Sequence, residues 1–577
     1  MAIRASEGPD EPPERTSGIE DDLEPRPRFP WWPALGAWLA AAIVFFRDPL
    51  WSRFDTITGD QGDLRLVVFL HEHWWEVVQG RASWLSPPMF HPVHGTLGYS
   101  DTFALSQLVY VPLRAVGVES FAAFQLTLIG YTLVGFLSVV ALARCHLELP
   151  VIIACLLAVP VAFGNNLYVA TPHTQLYGAN VVPAVVLLGV SAWRSTSRRR
   201  ARMYATGSGL LLALLMWSTF YFGWFAMLLG CVSLISAACI LSIFGRFRQW
   251  VDVVAARWQL IAVWWLGFGV GIVPFVATYA PVLDQSGSRS YSEVAGLAPR
   301  IGDVINVGRH NLIWGRLVTA VLGDGARVDD IHRAVAVTPL LVVAAAVAAV
   351  VLVRRAWHAR SIDAVGTIGL ASAATLAFAI VLPLQFDVGG LWAWAHRFVP
   401  GGGAIRVYSR IEIVADFLAV ITVACWASTV PRERARAGRY STRWNVRALM
   451  LGALVLVAVE QVNTTTVLRQ LDRSDELARL AAVPPPPEGC TSFFVVDPTR
   501  EREVWVQIDA MLIAHEVGLP TLNGYSGQAP PGWDLRAVGS PLYSSAVADW
   551  VARSGVDPDS VCSYSTPTSE WSTGIGP

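Results

Sequence analysis

Lysine is missing from this 577-residue sequence: all 43 basic residues are arginines, set against 44 acidic ones for a formal net charge of −1. A chain so balanced has no overall electrostatic pull toward nucleic acid, and no nucleic-acid partner is expected. Charge of either sign is scarce as well. Charged residues make up 15% and apolar residues 54%, with a mean hydropathy of +0.45. Soluble domains carry about 25% charge, so too little is present here to cover a soluble surface, and the composition predicts an integral membrane protein. The seven cysteines, Cys145, Cys155, Cys231, Cys239, Cys425, Cys490 and Cys562, lack the repeated two-residue gap of a zinc site, and no metal ligand set is expected from them. Five lie in or beside apolar runs, where cysteine serves as a small apolar residue. Cys490 and Cys562 bracket a polar C-terminal segment and can form a disulfide if that segment lies outside the cytoplasm.

What the chain has in quantity is apolar length. Residues 1–29 are rich in Pro, Glu, Asp and Arg and read as a disordered cytoplasmic tail, not a cleaved signal peptide. Beyond them, at about 20 apolar residues per crossing, eleven spans are expected, near 31–49, 120–143, 149–164, 178–193, 204–221, 223–244, 259–281, 333–353, 362–383, 411–430 and 446–463. The fold class is thus an all-α polytopic membrane domain over 30–463, followed by 464–577 as a small extracytoplasmic α/β domain. Residues 102–118 decide the orientation, because they can cross or return. If they return, the arginine groups at 194–202, 246–257, 354–360 and 432–447 all fall on the side of the N-terminus, which the positive-inside bias makes the cytoplasm. A multi-pass protein of the plasma (inner) membrane follows, with its C-terminus outside.

That topology gathers the long, chemically varied loops on the outer side: 50–118, 165–177, 282–332, 384–410 and the tail. After the Pro-rich linker Val483–Glu488, the tail shows a strand pattern at Ser492–Val496 and helical patterns at Val504–Val517 and near Ala546–Arg553. In the first outer loop, Gly59-Asp60-Gln61-Gly62-Asp63 precedes an amphipathic helix over 64–79, expected to lie in the outer interface with Trp74 and Trp75 at headgroup depth. Asp60 and Asp63 stand where the chain leaves the membrane. They either cap that helix or meet a substrate. Asp101 is open to the same two readings, as the cap of the returning helix or as a substrate ligand. His71, His73, His91 and His94 share this loop, but His71 and His73 lack the four-residue spacing of a helical zinc motif, which favours structural roles.

The acidic first outer loop, its aromatic helix, Pro87-Pro88-Met89-Phe90-His91-Pro92, Tyr99-Ser100-Asp101 and the many spans resemble the glycosyltransferase C superfamily, in a bacterial branch. The resemblance extends to Asn166–Gln175, to Arg406-Val407-Tyr408-Ser409-Arg410 and to Asn523-Gly524-Tyr525-Ser526-Gly527. It implies transfer of a sugar, hexosyl or pentosyl, from a polyprenyl-phosphate donor to an envelope glycan, glycolipid or protein, with inversion and an Asp base. By position Asp60 is the first candidate for that base and Asp63 the second. The leaving lipid phosphate needs fixed cationic donors, a task suited to the planar guanidinium. Arg406 and Arg410, four apart, would share a face if the following helix began one turn early; otherwise they anchor to lipid headgroups. Arg289, Arg300 and Arg309 either line an acceptor groove or solvate their loop, and His173 and Gln175 are candidate partners for sugar hydroxyls. A divalent metal is left open.

Two rivals stand beside this reading. A transporter or lipid-linked sugar flippase would place ionisable residues within its spans, and Glu412 and Asp416 are the pair that fits. A non-enzymatic envelope assembly protein would use the outer loops to bind partners.

Overall fold

The computed structural model describes residues 29–575, apart from 170, 172, 287–288, 326, 329, 388, 438–442, 466–469 and 500–501. The expected N-terminal tail, but for Phe29, falls outside the described residues, as does Arg439. What is described is mostly helical. Seven helices are long and apolar enough to cross a membrane: Ser120–His146, Val151–Val169, Thr174–Arg194, Phe220–Ile243, Pro339–Ala359, Ala364–Val381 and Tyr408–Val430. Phe247–Ala256 and Trp258–Gly271, bent by 64°, add an eighth if the pair is one span. The chain is a multi-pass membrane protein by the length and composition of these helices.

Eleven spans were expected, and the difference has identifiable sources. The first and last of them are short helices, Trp31–Phe45 and Ala448–Glu460. The fifth is the apolar part of Arg198–Ser218, whose first turn carries Arg198, Arg199 and Arg200. Counting apolar residues does not locate where a helix ends.

Residues 102–118 hold no helix long enough to cross a membrane. Their helix, Gln107–Ala115, has nine residues, about 14 Å at 1.5 Å per residue and far short of a bilayer. Arginines gather at the opposite end of the bundle, where Arg194, Arg246 and Arg257 donate to the carbonyls of His146, Ile362 and Trp193.

The C-terminal region holds a three-stranded sheet in which Ser492–Val496 runs parallel to Val561–Ser565, and Val561–Ser565 antiparallel to Glu570–Thr573. Helices Glu503–Val517 and Tyr543–Ser554 accompany it, beside the segments expected from periodicity. Cys490 and Cys562 are disulfide-bonded, with Cα atoms 5.8 Å apart.

The helix Asp63–Val78 forms as expected but lies elsewhere. Its residues Leu64–His71 and His73 are buried, because the C-terminal region covers its polar face. Arg65 is fully buried, paired with Asp509 and 3.3 Å from Glu476, and Arg479 joins both acids at 3.1 and 2.7 Å. Charges are tolerated inside a protein when they are paired in this way. The interfacial placement assumed that a polar face meets headgroups; here it meets partners more than 400 positions along the chain. The Pro-rich stretch of the same loop is fixed likewise: Phe90 and His91 donate from backbone nitrogen to the carbonyls of Asn523 and Thr521, and Thr521 donates to Pro88.

Candidate active site

Where residues 50–118, the C-terminal region and the adjoining helix ends meet, they line a cavity of about 1110 Å³. Asp63 lines it from the first residue of the helix Asp63–Val78. Its Oδ2 accepts from Nδ1 of His173 at 2.5 Å and from Nε2 of Gln175 at 3.1 Å. A carboxylate partner makes Nδ1 the protonated nitrogen of that ring. Burial pushes the Asp63 carboxyl up, but the charge and hydrogen bond of His173, the Gln175 amide and the charge of Arg410 outweigh it and hold the group at about 2.

Asp101 lines the same cavity and is positioned by a different helix from the one expected. Residues 102–105 wrap the break between helices Arg198–Ser218 and Phe220–Ile243: Thr102 Oγ1 donates to Trp217 O, and Phe103 N to Ser218 O. Asp101 Oδ1 thereby receives the Phe220 backbone N–H at 3.2 Å, so it caps the helix Phe220–Ile243, not the returning one. The same segment also packs closely on the helix Val273–Ser286 at Gly98, where a Cβ would stand 2.5 Å from the Thr278 carbonyl oxygen. Burial and the nearby Asp63 charge raise the Asp101 carboxyl to about 6, against the lowering pull of the Phe220 N–H and Arg410.

Arg406 and Arg410 both line the cavity, though not from one helical face. The helical chain starts only at Tyr408, because the backbone N–H groups of Arg406 and Val407 are held by the Tyr221 hydroxyl, at 2.8 and 3.3 Å. Arg410 is 8% exposed, stands over the Tyr221 ring at 5.5 Å, and its Nε has no hydrogen-bond partner. Arg289 donates to Glu293 at 2.9 Å and to the Gly527 carbonyl at 2.6 Å, joining the cavity wall to the C-terminal region. Glu293 also faces Arg406, at 3.5 Å.

Other expected residues lie apart. Asp60 is not on the cavity wall; its Oδ1 accepts from the Gly62 backbone at 3.0 Å, within the turn that leads into the helix. Arg300 is exposed and outside the lining, its backbone N–H bound to Asp303. Arg309 pairs with Asp324. Glu412 and Asp416 are buried in their helix, with Asp416 accepting from Asn166 at 2.8 Å, and neither lines the cavity.

Sequence reasoning passed over His332, Tyr221, His396 and Arg397, which line the cavity too. No pattern marked them: His332 sits in a loop and His396 and Arg397 at a helix end, all of ordinary composition, and Tyr221 lies inside an apolar run. His332 stacks on His173 with ring centroids 5.6 Å apart. Burial and the charges of Arg410, His173 and Arg406 hold its imidazole down at about 3, against the opposite pull of Asp63. Tyr525, Ser526 and Gly527 of the C-terminal region complete the wall, and Ser526 Oγ donates to the Tyr99 carbonyl.

One side of the cavity is apolar and open. Val276, Leu283 and Phe398 line it and are 52, 60 and 61% exposed. Among the described residues, no group of three or more His, Cys, Asp or Glu side chains is placed to hold a metal ion.

No family model matches the chain, and no curated protein matches it. Among solved structures it is similar to the crystal structure of the Archaeoglobus fulgidus oligosaccharyltransferase in complex with Zn and sulfate, at a TM-score of 0.48 and 13% identity over 92% of this chain and 68% of that one. It is similar also to the apo form of that protein, at a TM-score of 0.46 and 12% identity over 91% of this chain and 69% of that one.

Proposed function

We propose that this protein is a membrane glycosyltransferase that moves a sugar from a polyprenyl-phosphate donor to an extracytoplasmic envelope glycan, glycolipid or protein, with inversion. The observation that carries the reading is a single cavity that unites ionised carboxylates, an unpaired guanidinium nitrogen and an exposed apolar wall. An isoprenoid chain enters along Val276, Leu283 and Phe398 from the lipid. Its phosphate reaches Arg410 and Arg406, and the sugar extends toward Asp63 and Asp101.

Asp63 is the base in this reading. His173 and Gln175 hold its Oδ2, which fixes the carboxylate and leaves Oδ1 to accept a proton from the acceptor hydroxyl as that hydroxyl attacks the anomeric carbon. A base that is weak at rest suffices where the attacked carbon gains oxocarbenium character, because the attacking hydroxyl becomes acidic as its bond forms. Arg410 and Arg406 stabilise the charge developing on the leaving phosphate. Each step is assigned to side chains of the chain itself. The absence of Glu412 and Asp416 from the cavity wall favours this reading over a transporter that would load its substrate on them.

The test is transfer of radiolabelled sugar from a polyprenyl-phosphate donor by membranes carrying Asp63→Asn or Asp60→Asn protein at equal abundance. Loss with Asp63→Asn and retention with Asp60→Asn is the expected result; full activity of Asp63→Asn would remove the base from this position. Mass analysis of envelope glycans with and without the protein identifies the product.

A further inference from the structure

Beyond the carboxylates, the cavity holds a cluster of nitrogen atoms that the protein itself leaves unanswered. Arg410 Nε, His332 Nδ1 and His173 Nε2 are buried without a hydrogen-bond partner among the described residues. All three side chains line one cavity, and the two imidazoles are stacked. Buried polar groups are as a rule satisfied, so three orphans on one wall point to an absent polar ligand; Arg410 Nε can only donate to it, His332 Nδ1 donates or accepts according to its tautomer, and His173 Nε2 accepts while Nδ1 carries the ring proton. The residues are also anchored to one another through the backbone. Ser409, next to Arg410, donates from Oγ to the His332 carbonyl at 2.7 Å, and Asp330 Oδ1 fixes the turn by accepting from His332 N at 2.9 Å.

The geometry points to His332 as the residue that takes up a proton when the lipid phosphate leaves, forming with Arg410 a subsite for the phosphate monoester dianion. This assignment rests on the glycosyltransferase reading above. In the donor, the phosphate is a diester with one negative charge. As the acceptor oxygen forms its bond to the anomeric carbon, the bond from that carbon to the phosphate oxygen breaks, and its electron pair stays on the phosphate, which becomes a dianion. The acceptor proton goes to Asp63. A second proton, taken up from the buffered solvent that reaches the cavity, goes to His332, so the net change is one proton bound from solution.

The groups facing His332 explain why it waits. Arg410 and Arg406 precede one helix, His173 opens the 3-10 turn Thr174–Val181, and Asp63 opens another helix. In the empty site burial, and after it the cationic charges among these, keep the imidazole neutral. A dianion cancels the guanidinium charges and attracts the imidazolium directly, so it opposes the burial that remains. A monoanionic diester does so less. The pair therefore senses the one change that distinguishes donor from product.

Calorimetry of full-length protein in nanodiscs tests this without relying on turnover. Farnesyl phosphate, a monoester, and its methyl ester, a diester, are titrated at pH 7.5 in buffers of different ionisation enthalpy, which gives the protons exchanged on binding. The wild type is expected to take up about one proton per monoester bound and close to none per diester. His332→Gln and His332→Asn are expected to bind the monoester without that uptake. Uptake that persists in folded variants, or monoester binding to the wild type with no uptake, would overturn the assignment alone. Failure of the wild type to bind either compound would overturn the assignment and the function reading beneath it.

Discussion

Asp63 and His173, 110 positions apart, meet with the carboxylate oxygen 2.5 Å from the imidazole Nδ1. Neither residue positions itself. Asp63 is held at the start of a helix clamped under the C-terminal region, and His173 begins the short 3-10 helix Thr174–Val181. The contact keeps Asp63 ionised and aims its second oxygen, and it is the most sensitive place to perturb the site.

Replacing His173 with Ala removes the first of the influences that lower the Asp63 carboxyl from its ordinary range. The expected outcome is a transfer rate lower by about 10²-fold, from loss of orientation at the base, with a low-pH limb moved upward. Rates measured between pH 4 and 8 check both parts.

Asp101 sets a second pH dependence. Its carboxyl is raised to about 6, so it carries a proton below that pH and a charge above it. If its charge serves binding or chemistry, transfer rises with pH through about 6 in the wild type, and Asp101→Asn is slow with no such limb. The sign for stability is opposite. An acid raised on folding binds its proton more tightly in the folded state, so the folded protein loses stability as pH climbs from near 4 through 6. Asp101→Asn is then expected to raise the thermal midpoint at pH 7.5 while lowering activity, which thermal unfolding of the purified protein measures.

Arg65 joins the first outer loop to the C-terminal region. Its removal would take from Asp509, 1% exposed, one of the two arginines it faces, leaving Arg479 at 3.1 Å. Breaking such a buried pair costs about 3–5 kcal/mol. Arg65→Met is expected to loosen the C-terminal region, seen as faster proteolytic cleavage near the linker 483–488.

The bond between Cys490 and Cys562 closes a loop of 72 positions. Losing a link of this reach costs about 2–4 kcal/mol. A Cys490→Ser, Cys562→Ser double variant should lower the unfolding midpoint of the C-terminal region, and reducing agent should do the same to the wild type but not to the variant.

Orientation is checked by labelling. Single cysteines at Gly95 and Ser197 are expected to react with impermeant reagent from opposite faces of the membrane, with Gly95 accessible from outside.

Much of the architecture could be read from residues alone, because apolar length, arginine placement and strand or helix period are local properties. The long apolar helices and the elements at 492–496 and 503–517 follow from such patterns. Helix ends did not follow, since a run of apolar residues continues past the last helical hydrogen bond. The polar face of the helix Asp63–Val78 misled for a related reason: periodicity reports that a face is polar, not what covers it.

By itself the sequence determined that this chain crosses a membrane repeatedly, which end of the bundle gathers its arginines, and that acids and arginines crowd the loops at the other end. Only the tertiary structure decided which of them share a cavity. It took Asp63 and left Asp60 in a turn, kept Arg410 and Arg406 but not Arg300, and added His332 and Tyr221, which no motif marked. The reason is physical. Composition and spacing act over a few residues, whereas a cavity is made by contacts between segments hundreds of positions apart, and its charges acquire their properties from neighbours that the order of the chain does not reveal.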